Sequence, residues 1–127
     1  MKALLDTNLV ISESFDHPGY ELVVSSLTWA ELGFGISSVK DPVRRAERAR
    51  ELQRLRRFFG PGIPFDDAAA VAYETVCGLV LAQGRKVRGR TVDLMIAATA
   101  AAHDAAVLTR SIDDFRGLEG FVTVREP

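Results

Sequence analysis

Three acidic residues have the types and positions for metal-dependent chemistry. Asp6 follows a short apolar run, Glu31 lies in a predicted helix, and Asp93 lies in the first turn of another. Carboxylates that are brought together repel one another and raise each other's pKa unless a cation compensates. A carboxylate cluster without His or Cys suits Mg²⁺ and Mn²⁺, which prefer oxygen ligands. The chemistry that such a site indicates is attack of a metal-activated water on a phosphodiester.

Other common kinds of active site have no matching pattern in the chain. The two histidines, His17 and His103, are too few and too isolated for a zinc site or a Ser-His pair. The glycine motifs of nucleotide-binding loops are absent, and so is the G-x-S-x-G nucleophile motif. The carboxylates are therefore the strongest chemical signal in the sequence.

Length and composition indicate one domain over residues 1–127. Hydrophobic residues make up 47% of the chain, charged residues make up 26%, and the net charge is −1. These values are ordinary for a soluble protein, and a near-neutral total leaves room for a local basic patch. The chain has no signal-peptide pattern, no apolar run long enough to span a membrane, and only one cysteine, Cys77. We therefore expect a cytoplasmic protein without a membrane span.

Short apolar segments alternate with helical patterns along the chain. This alternation predicts an α/β fold with a mostly parallel central sheet. The predicted strands cover residues 2–5, 22–25, 63–65, 106–108 and 121–124. The predicted helices cover residues 9–14, 28–37, 42–59, 68–83 and 92–102, with turns at 17–19 and 111–115.

Three of the predicted helices begin with capping signals. Thr28 and Glu31 have the spacing of a capping box, in which each side chain bonds to the other's backbone N–H. Asp41 precedes a proline and Asp66 precedes a long apolar helix, so both are predicted N-caps. A capping role for Glu31 is the alternative to a role in an acidic cluster.

The helix predicted at residues 92–102 is apolar on nearly every face, which indicates a helix packed inside the protein. Asp93 in its first turn either complements the helix dipole or faces a cleft that holds a cation. If the first strand is central in the sheet, Asp6, Glu31 and the residues after Thr109 meet at one edge. Asp93 joins them only if the start of its helix leans over that edge.

Four segments taken together resemble a known family. They are LLDTN at 4–8, SSLTWAELGFG at 25–35, RTVDLMIAATAAAHDAAVLTRSIDDF at 90–115 and FVTV at 121–124. In this order they resemble PIN-domain ribonucleases, and more narrowly the VapC-type toxins of bacterial toxin–antitoxin modules. The resemblance covers nearly the whole chain and implies a three-layer α/β/α fold.

The resemblance also implies an activity and partners. It implies a Mg²⁺-dependent endoribonuclease, with Mn²⁺ as a possible substitute, that is inhibited by a VapB-like antitoxin. It further implies a homodimer and a hetero-oligomer with the antitoxin. Two alternatives stay open: a PIN nuclease that works in RNA processing without an antitoxin, and a catalytically inactive PIN-like binding module.

The family motifs also assign roles to residues by position. Asp6, Glu31 and Asp93 match the acidic residues that bind the metal and support catalysis. Thr7 and Asn8 match supporting polar positions, and Asn8 is expected to orient a carboxylate.

The far end of the same block departs from the family. Thr109 ends a strand at the expected site and is a further supporting candidate. The fourth acidic position of the family falls on Ser111, and Asp114 lies close by. Ser111 or Asp114 is therefore a possible additional metal ligand.

Basic side chains surround the predicted site in the sequence and are expected to bind RNA phosphates. The candidates are Arg85, Lys86, Arg88, Arg90 and Arg110. The helix predicted at 42–59 carries seven arginines against two glutamates. This excess of positive charge indicates a solvated face, a surface that contacts RNA, or a surface that contacts an acidic segment of the antitoxin.

Apolar side chains in the helices predicted at 28–37 and 42–59 exceed the need of a surface helix. The set is Trp29, Leu32, Phe34, Ile36, Phe58 and Phe59. Core packing is the simplest interpretation of these residues. The resemblance implies instead a groove that receives an amphipathic antitoxin segment.

Overall fold

The computed structural model describes residues 1–11 and 19–127. Its elements in chain order are β1 (Lys2–Leu5), α1 (Thr7–Val10), β2 (Glu21–Val23), α2 (Ser26–Ser37), α3 (Pro42–Phe59), α4 (Asp67–Ala82), α5 (Thr91–Ala102), β3 (Ala105–Leu108), a 3₁₀ helix (Ile112–Phe115) and β4 (Val124–Arg125). The predicted turn at 17–19 and the end of the helix predicted at 9–14 fall largely outside the described residues.

The described strands form one sheet in the order β2-β1-β3-β4, and every pair is parallel. The predicted α/β fold with a parallel sheet is confirmed. The strand predicted at 63–65 is wrong, because Ile63 forms only an isolated bridge with Ser25. Pro64 follows it directly and has no N–H to extend a ladder.

The last strand begins later than its apolar pattern predicted. The backbone N–H groups of Phe121 and Val122 both donate to the carbonyl of Leu118, which folds this part of the chain into a turn. Only Val124–Arg125 pairs with β3.

Side chains of the two central strands alternate between two separate cores. Leu4 and Val107 are buried against α4 and α5. Leu5 and Leu108 are buried on the other face, with residues of α1, α2 and α3. A parallel sheet that is covered on both faces in this way is a three-layer α/β/α fold, as predicted.

Two predicted helix starts are confirmed and one is wrong. Asp41 and Asp66 cap α3 and α4, each accepting from a backbone N–H in the first turn. Helix α2 begins at Ser26, where the Ser25 side chain accepts from the N–H of Leu27 at 3.0 Å. Thr28 and Glu31 therefore lie inside the helix and form no capping box.

Helix α5 is the interior helix that the sequence predicted. Six residues between Leu94 and Ala100 are buried, and most of them join the core beneath α4. In the described part of the chain, no helix combines the length and apolarity needed to cross a bilayer.

We predict that Gly62→Ala and Gly78→Ala change stability in opposite directions. A Cβ at Gly62 would lie 2.6 Å from the backbone nitrogen of Ser26, so the start of α2 must shift, at a cost of about 1–3 kcal/mol. A Cβ at Gly78 meets nothing within 4 Å, and alanine inside a helix is favoured over glycine by about 0.5–1 kcal/mol. Urea denaturation measures both changes, and equal stability of the two variants would contradict this packing.

Candidate active site

The sheet order reverses between β1 and β3, because the chain leaves β1 toward β2 on one side and returns as β3 on the other. Ligands of open α/β sheets bind at the carboxyl edge of such a reversal. Asp6 follows β1 and Thr109 follows β3 at this edge. The backbone N–H of Asp6 donates to the carbonyl of Leu108 at 2.9 Å, so the two strand ends are joined there.

Asp6 is held by hydrogen bonds to both of its carboxylate oxygens. Its side chain is buried, with 9% of the residue exposed. Oδ2 accepts from the buried hydroxyl of Thr109 at 2.9 Å, and Oδ1 accepts from the N–H of Thr7 at 2.8 Å. Thr109 Oγ1 also accepts from the N–H of Ser111 at 2.9 Å. The carboxylate therefore has a defined orientation.

Glu31 reaches the same edge from α2. Its Oε1 accepts from the hydroxyl of Thr7 at 2.7 Å. Thr7 thus connects two acids, since its N–H contacts Asp6 and its side chain contacts Glu31. The buried hydroxyl of Thr28 lies 3.4 Å from the Thr7 hydroxyl, on the inner side of this connection.

Asp93 belongs to the same cluster. Burial, together with the negative charges of Asp6, Glu31 and Asp114, raises the pKa of Asp93 to about 6, and the charge of Arg90 acts against this rise. Asp93 and Glu31 line a cavity of about 260 Å³ that also includes residues 89–92. The start of α5 therefore leans over the carboxyl edge of the sheet.

The donor chemistry of this cluster fits a hard divalent cation. Three carboxylates and two threonine hydroxyls supply oxygen atoms, and a cation would relieve the repulsion that raises the Asp93 pKa. Within residues 1–11 and 19–127, no three acidic, His or Cys side chains lie close enough together to coordinate one metal ion directly. Mg²⁺ usually keeps several waters and binds one or two carboxylates, so an ion here would contact some of the three acids only through its waters.

The remaining predicted ligands and supporting groups have different surroundings. Ser111 is exposed at the start of the 3₁₀ helix, and its side chain caps nothing there. Asp114 lies within that helix and is half exposed, with Arg90 as its neighbour. Asn8 is exposed in α1, and its side chain bonds to none of the described carboxylates. An orienting role of Asn8 stays a prediction.

The predicted RNA-binding residues do not form one uniform patch. Lys86, Arg88 and Arg110 are exposed, whereas Arg85 is half-buried and donates to the carbonyl of Arg116 at 3.5 Å. Arg90 is half-buried and lines the acidic cavity. The contact between Arg90 and Asp114 was missed by sequence reasoning, since 24 residues separate the two and no periodic pattern connects them.

Comparison with known proteins agrees with this geometry. The PIN domain family matches residues 3–118 of the chain. Ribonuclease VapC4 of Mycobacterium tuberculosis (strain ATCC 25618 / H37Rv) is 36% identical over 118 residues, which are 88% of each chain. The chain belongs to the PIN-domain family, and within it the predicted similarity to VapC-type proteins is confirmed.

Solved structures show the same similarity. The toxin–antitoxin complex VapBC-5 of M. tuberculosis matches with a TM-score of 0.79 at 30% identity, over 98% of this chain and 96% of that one. FitAcB of Neisseria gonorrhoeae matches with a TM-score of 0.77 at 28% identity, over 96% and 95%.

We predict that Asp93→Asn stabilises the metal-free protein at pH 7.5 but not near pH 4. The folded pKa of Asp93, about 6, exceeds the ordinary value, so the stability that this group contributes is present below about pH 4 and lost as the pH rises through 6. Asparagine removes the charge, and the expected gain at pH 7.5 is about 1 kcal/mol after allowance for solvent screening.

Urea denaturation in EDTA at both pH values measures this effect. Glu74→Gln, at an exposed position of α4, is the matched control and should show no such difference between the two pH values. An Asp93→Asn variant that is no more stable than the wild type at pH 7.5 would contradict the raised pKa of Asp93.

Proposed function

We propose that this protein is a Mg²⁺-dependent endoribonuclease and the toxin of a VapBC-like toxin–antitoxin pair. The observation that carries the proposal is the convergence of Asp6, Glu31 and Asp93 at the point where the strand order reverses. Membership of the PIN-domain family and similarity to a protein named ribonuclease VapC4 support it.

In this proposal Asp6, Glu31 and Asp93 would hold the metal, one or two of them directly and the rest through its bound waters. A divalent ion bound there, Mg²⁺ or Mn²⁺, would supply an activated water and would stabilise negative charge that develops on a phosphodiester. Thr109 and the N–H of Thr7 hold the Asp6 carboxylate, and the Thr7 hydroxyl holds Glu31, so the ligands are oriented before the ion arrives. Ser111 lies beside this set and remains a candidate for a further contact.

RNA phosphates are bound in this proposal by basic groups at the rim. The candidates are Arg85, Lys86, Arg88, Arg90 and Arg110. Their positive charge offsets the repulsion between an RNA backbone and the three acids.

We predict that the purified protein cleaves RNA with Mg²⁺ and not with EDTA. Asp6→Asn and Asp93→Asn should each lower the cleavage rate at least about 100-fold, because removing one preorganised group of a charged site typically has that effect. A defined single-stranded RNA, resolved on a denaturing gel, measures the rate. Asp67→Asn, an exposed acid of α4, is the matched control and should cleave like the wild type.

Two other outcomes of this experiment would count against the proposed function. Cleavage that persists in EDTA, or in both site variants, contradicts the proposal that the protein is a metal-dependent nuclease. RNA binding without cleavage under any metal would favour the inactive PIN-like binding module instead.

A groove between α2 and α3 is the proposed seat of the antitoxin. Its volume is about 390 Å³, and its lining includes Ile11, Leu32, Gly35, Ile36, Leu52 and Leu55. Glu31, Arg48 and Glu51 also line it, so a bound segment would cover an acid of the site. The similarity to VapBC-5, a member of the VapBC family of toxin–antitoxin systems, supports an antitoxin as the occupant, and a homodimer belongs to the same proposal.

The other apolar candidates of this region lie outside that groove. Trp29 is buried against Phe59 in the core, as core packing predicted. Phe34 and Phe58 are largely exposed.

We predict that Ile36→Glu weakens the inhibition of RNA cleavage by the VapB-like antitoxin of the proposed pair. A carboxylate placed in the apolar groove must lose its hydration when the segment binds, and the expected loss of affinity is at least about 10-fold. Val71→Glu, on the exposed face of α4, is the control and should be inhibited normally. Equal inhibition of both variants would place the antitoxin elsewhere.

A further inference from the structure

Arg90 is a cation within an otherwise acidic cavity. Of the 16 lysines and arginines in the chain, only Arg85 and Arg90 are half-buried, and the others are exposed. The Arg90 side chain is 19% exposed and lines the cavity that Glu31 and Asp93 also line. Its charge acts on Asp93 against the three neighbouring acids.

Asp114 holds the Arg90 guanidinium from the 3₁₀ helix. Arg90 Nη2 donates to the backbone carbonyl of Asp114 and lies 4.0 Å from its Oδ1. The Asp114 side chain is 51% exposed, and ion pairs at such exposed positions are weak. The contact therefore positions the guanidinium without binding it firmly.

The position of Arg90 also decides which role suits Asp114. A guanidinium cannot lose its proton in a protein, so its positive charge beside Asp114 is permanent. That charge opposes a second cation on the same carboxylate. Asp114 therefore has this counter-ion beside it, whereas at Asp93 the same charge is opposed by three acids.

An arginine fork in this place suits a phosphodiester. Guanidinium carries five N–H donors in a plane, and the described contacts with Asp114 use Nη2 alone. Two parallel N–H groups match the two non-bridging oxygens of a phosphate. A backbone phosphate of single-stranded RNA that enters the cavity would meet this fork beside the metal-binding acids.

We infer that Arg90 binds a phosphate of the RNA substrate, and that Asp114 holds the guanidinium in place before RNA arrives and is not a metal ligand. This inference rests on the proposed function, because it takes RNA as the substrate. It assigns Asp114 to Arg90 and leaves the metal to Asp6, Glu31 and Asp93.

The first test measures binding of a 2′-O-methyl RNA oligonucleotide, which resists cleavage, across a range of NaCl concentrations in EDTA. Each phosphate contact of a single strand contributes about 0.7 to the slope of log K against log salt. Arg90→Ala should lower the slope by about that amount. Arg116→Ala is the matched control, because Arg116 is also paired with an aspartate of the 3₁₀ helix, Asp113 at 2.9 Å. Its slope should equal that of the wild type.

A second variant separates charge from structure. Arg90→Gln keeps an N–H donor for the Asp114 carbonyl and removes the positive charge. Its slope of log K against log salt should therefore fall as in Arg90→Ala, whereas its melting temperature should stay near that of the wild type. An unchanged slope in both variants, or an equal fall in Arg116→Ala, overturns the assignment of Arg90.

The second test addresses Asp114 through Mg²⁺ binding, measured by calorimetry without RNA. Asp114→Asn should bind Mg²⁺ like the wild type and like its neighbour control Asp113→Asn, whereas Asp6→Asn should bind it weakly. Asp114→Asn should also keep the wild-type salt slope for the oligonucleotide, because the backbone carbonyl that accepts from Arg90 Nη2 remains in this variant. Loss of Mg²⁺ affinity in Asp114→Asn overturns its assignment.

These outcomes differ from a failure of the proposed function. If the wild type binds the oligonucleotide through Arg90 but never cleaves RNA, the nuclease proposal fails and the inference stands. If the wild type cleaves RNA and the salt slope does not depend on Arg90, the inference alone fails.

Discussion

The negative charge gathered at the carboxyl edge of β1 and β3 is the constraint on which the rest of the site depends. Asp6, Glu31 and Asp93 come from three different parts of the chain. Their negative charges repel one another, so each ionised carboxylate would be more stable if the others were farther away. The fold keeps them together because both faces of the sheet are buried, and a packed core resists small displacements. The repulsion is thereby retained in the folded protein, where a divalent cation can relieve it.

Two threonines show how the fold holds this charge. The Thr109 hydroxyl bonds to Asp6 from the neighbouring strand, and Thr7 bonds to both Asp6 and Glu31. Neutral donors stabilise the carboxylates without cancelling their charge, so the cluster remains attractive to a cation. Asp93 has no such bond in the described structure, and its pKa is raised to about 6.

The sequence predicts the parts of this architecture that depend on local signals. The caps at Asp41 and Asp66 and the apolar pattern of α5 act within a few residues, so α3, α4 and α5 were predicted well. The start of α2 was not, because Ser25 and Thr28 are both good caps and only the bridge between Ser25 and Ile63 selects the first. The closeness of Asp93 to Asp6 follows from how α5 packs on the sheet, which periodicity does not contain.

The most direct test of the account is a crystal structure of the protein with Mn²⁺, recorded at a wavelength where manganese scatters anomalously. We expect an anomalous peak at direct or water-bridged distance from the carboxylates of Asp6 and Asp93, with Arg90 still beside Asp114. Full Mn²⁺ occupancy at another place, with no peak near these two carboxylates, would contradict the claim that the cluster is a metal site.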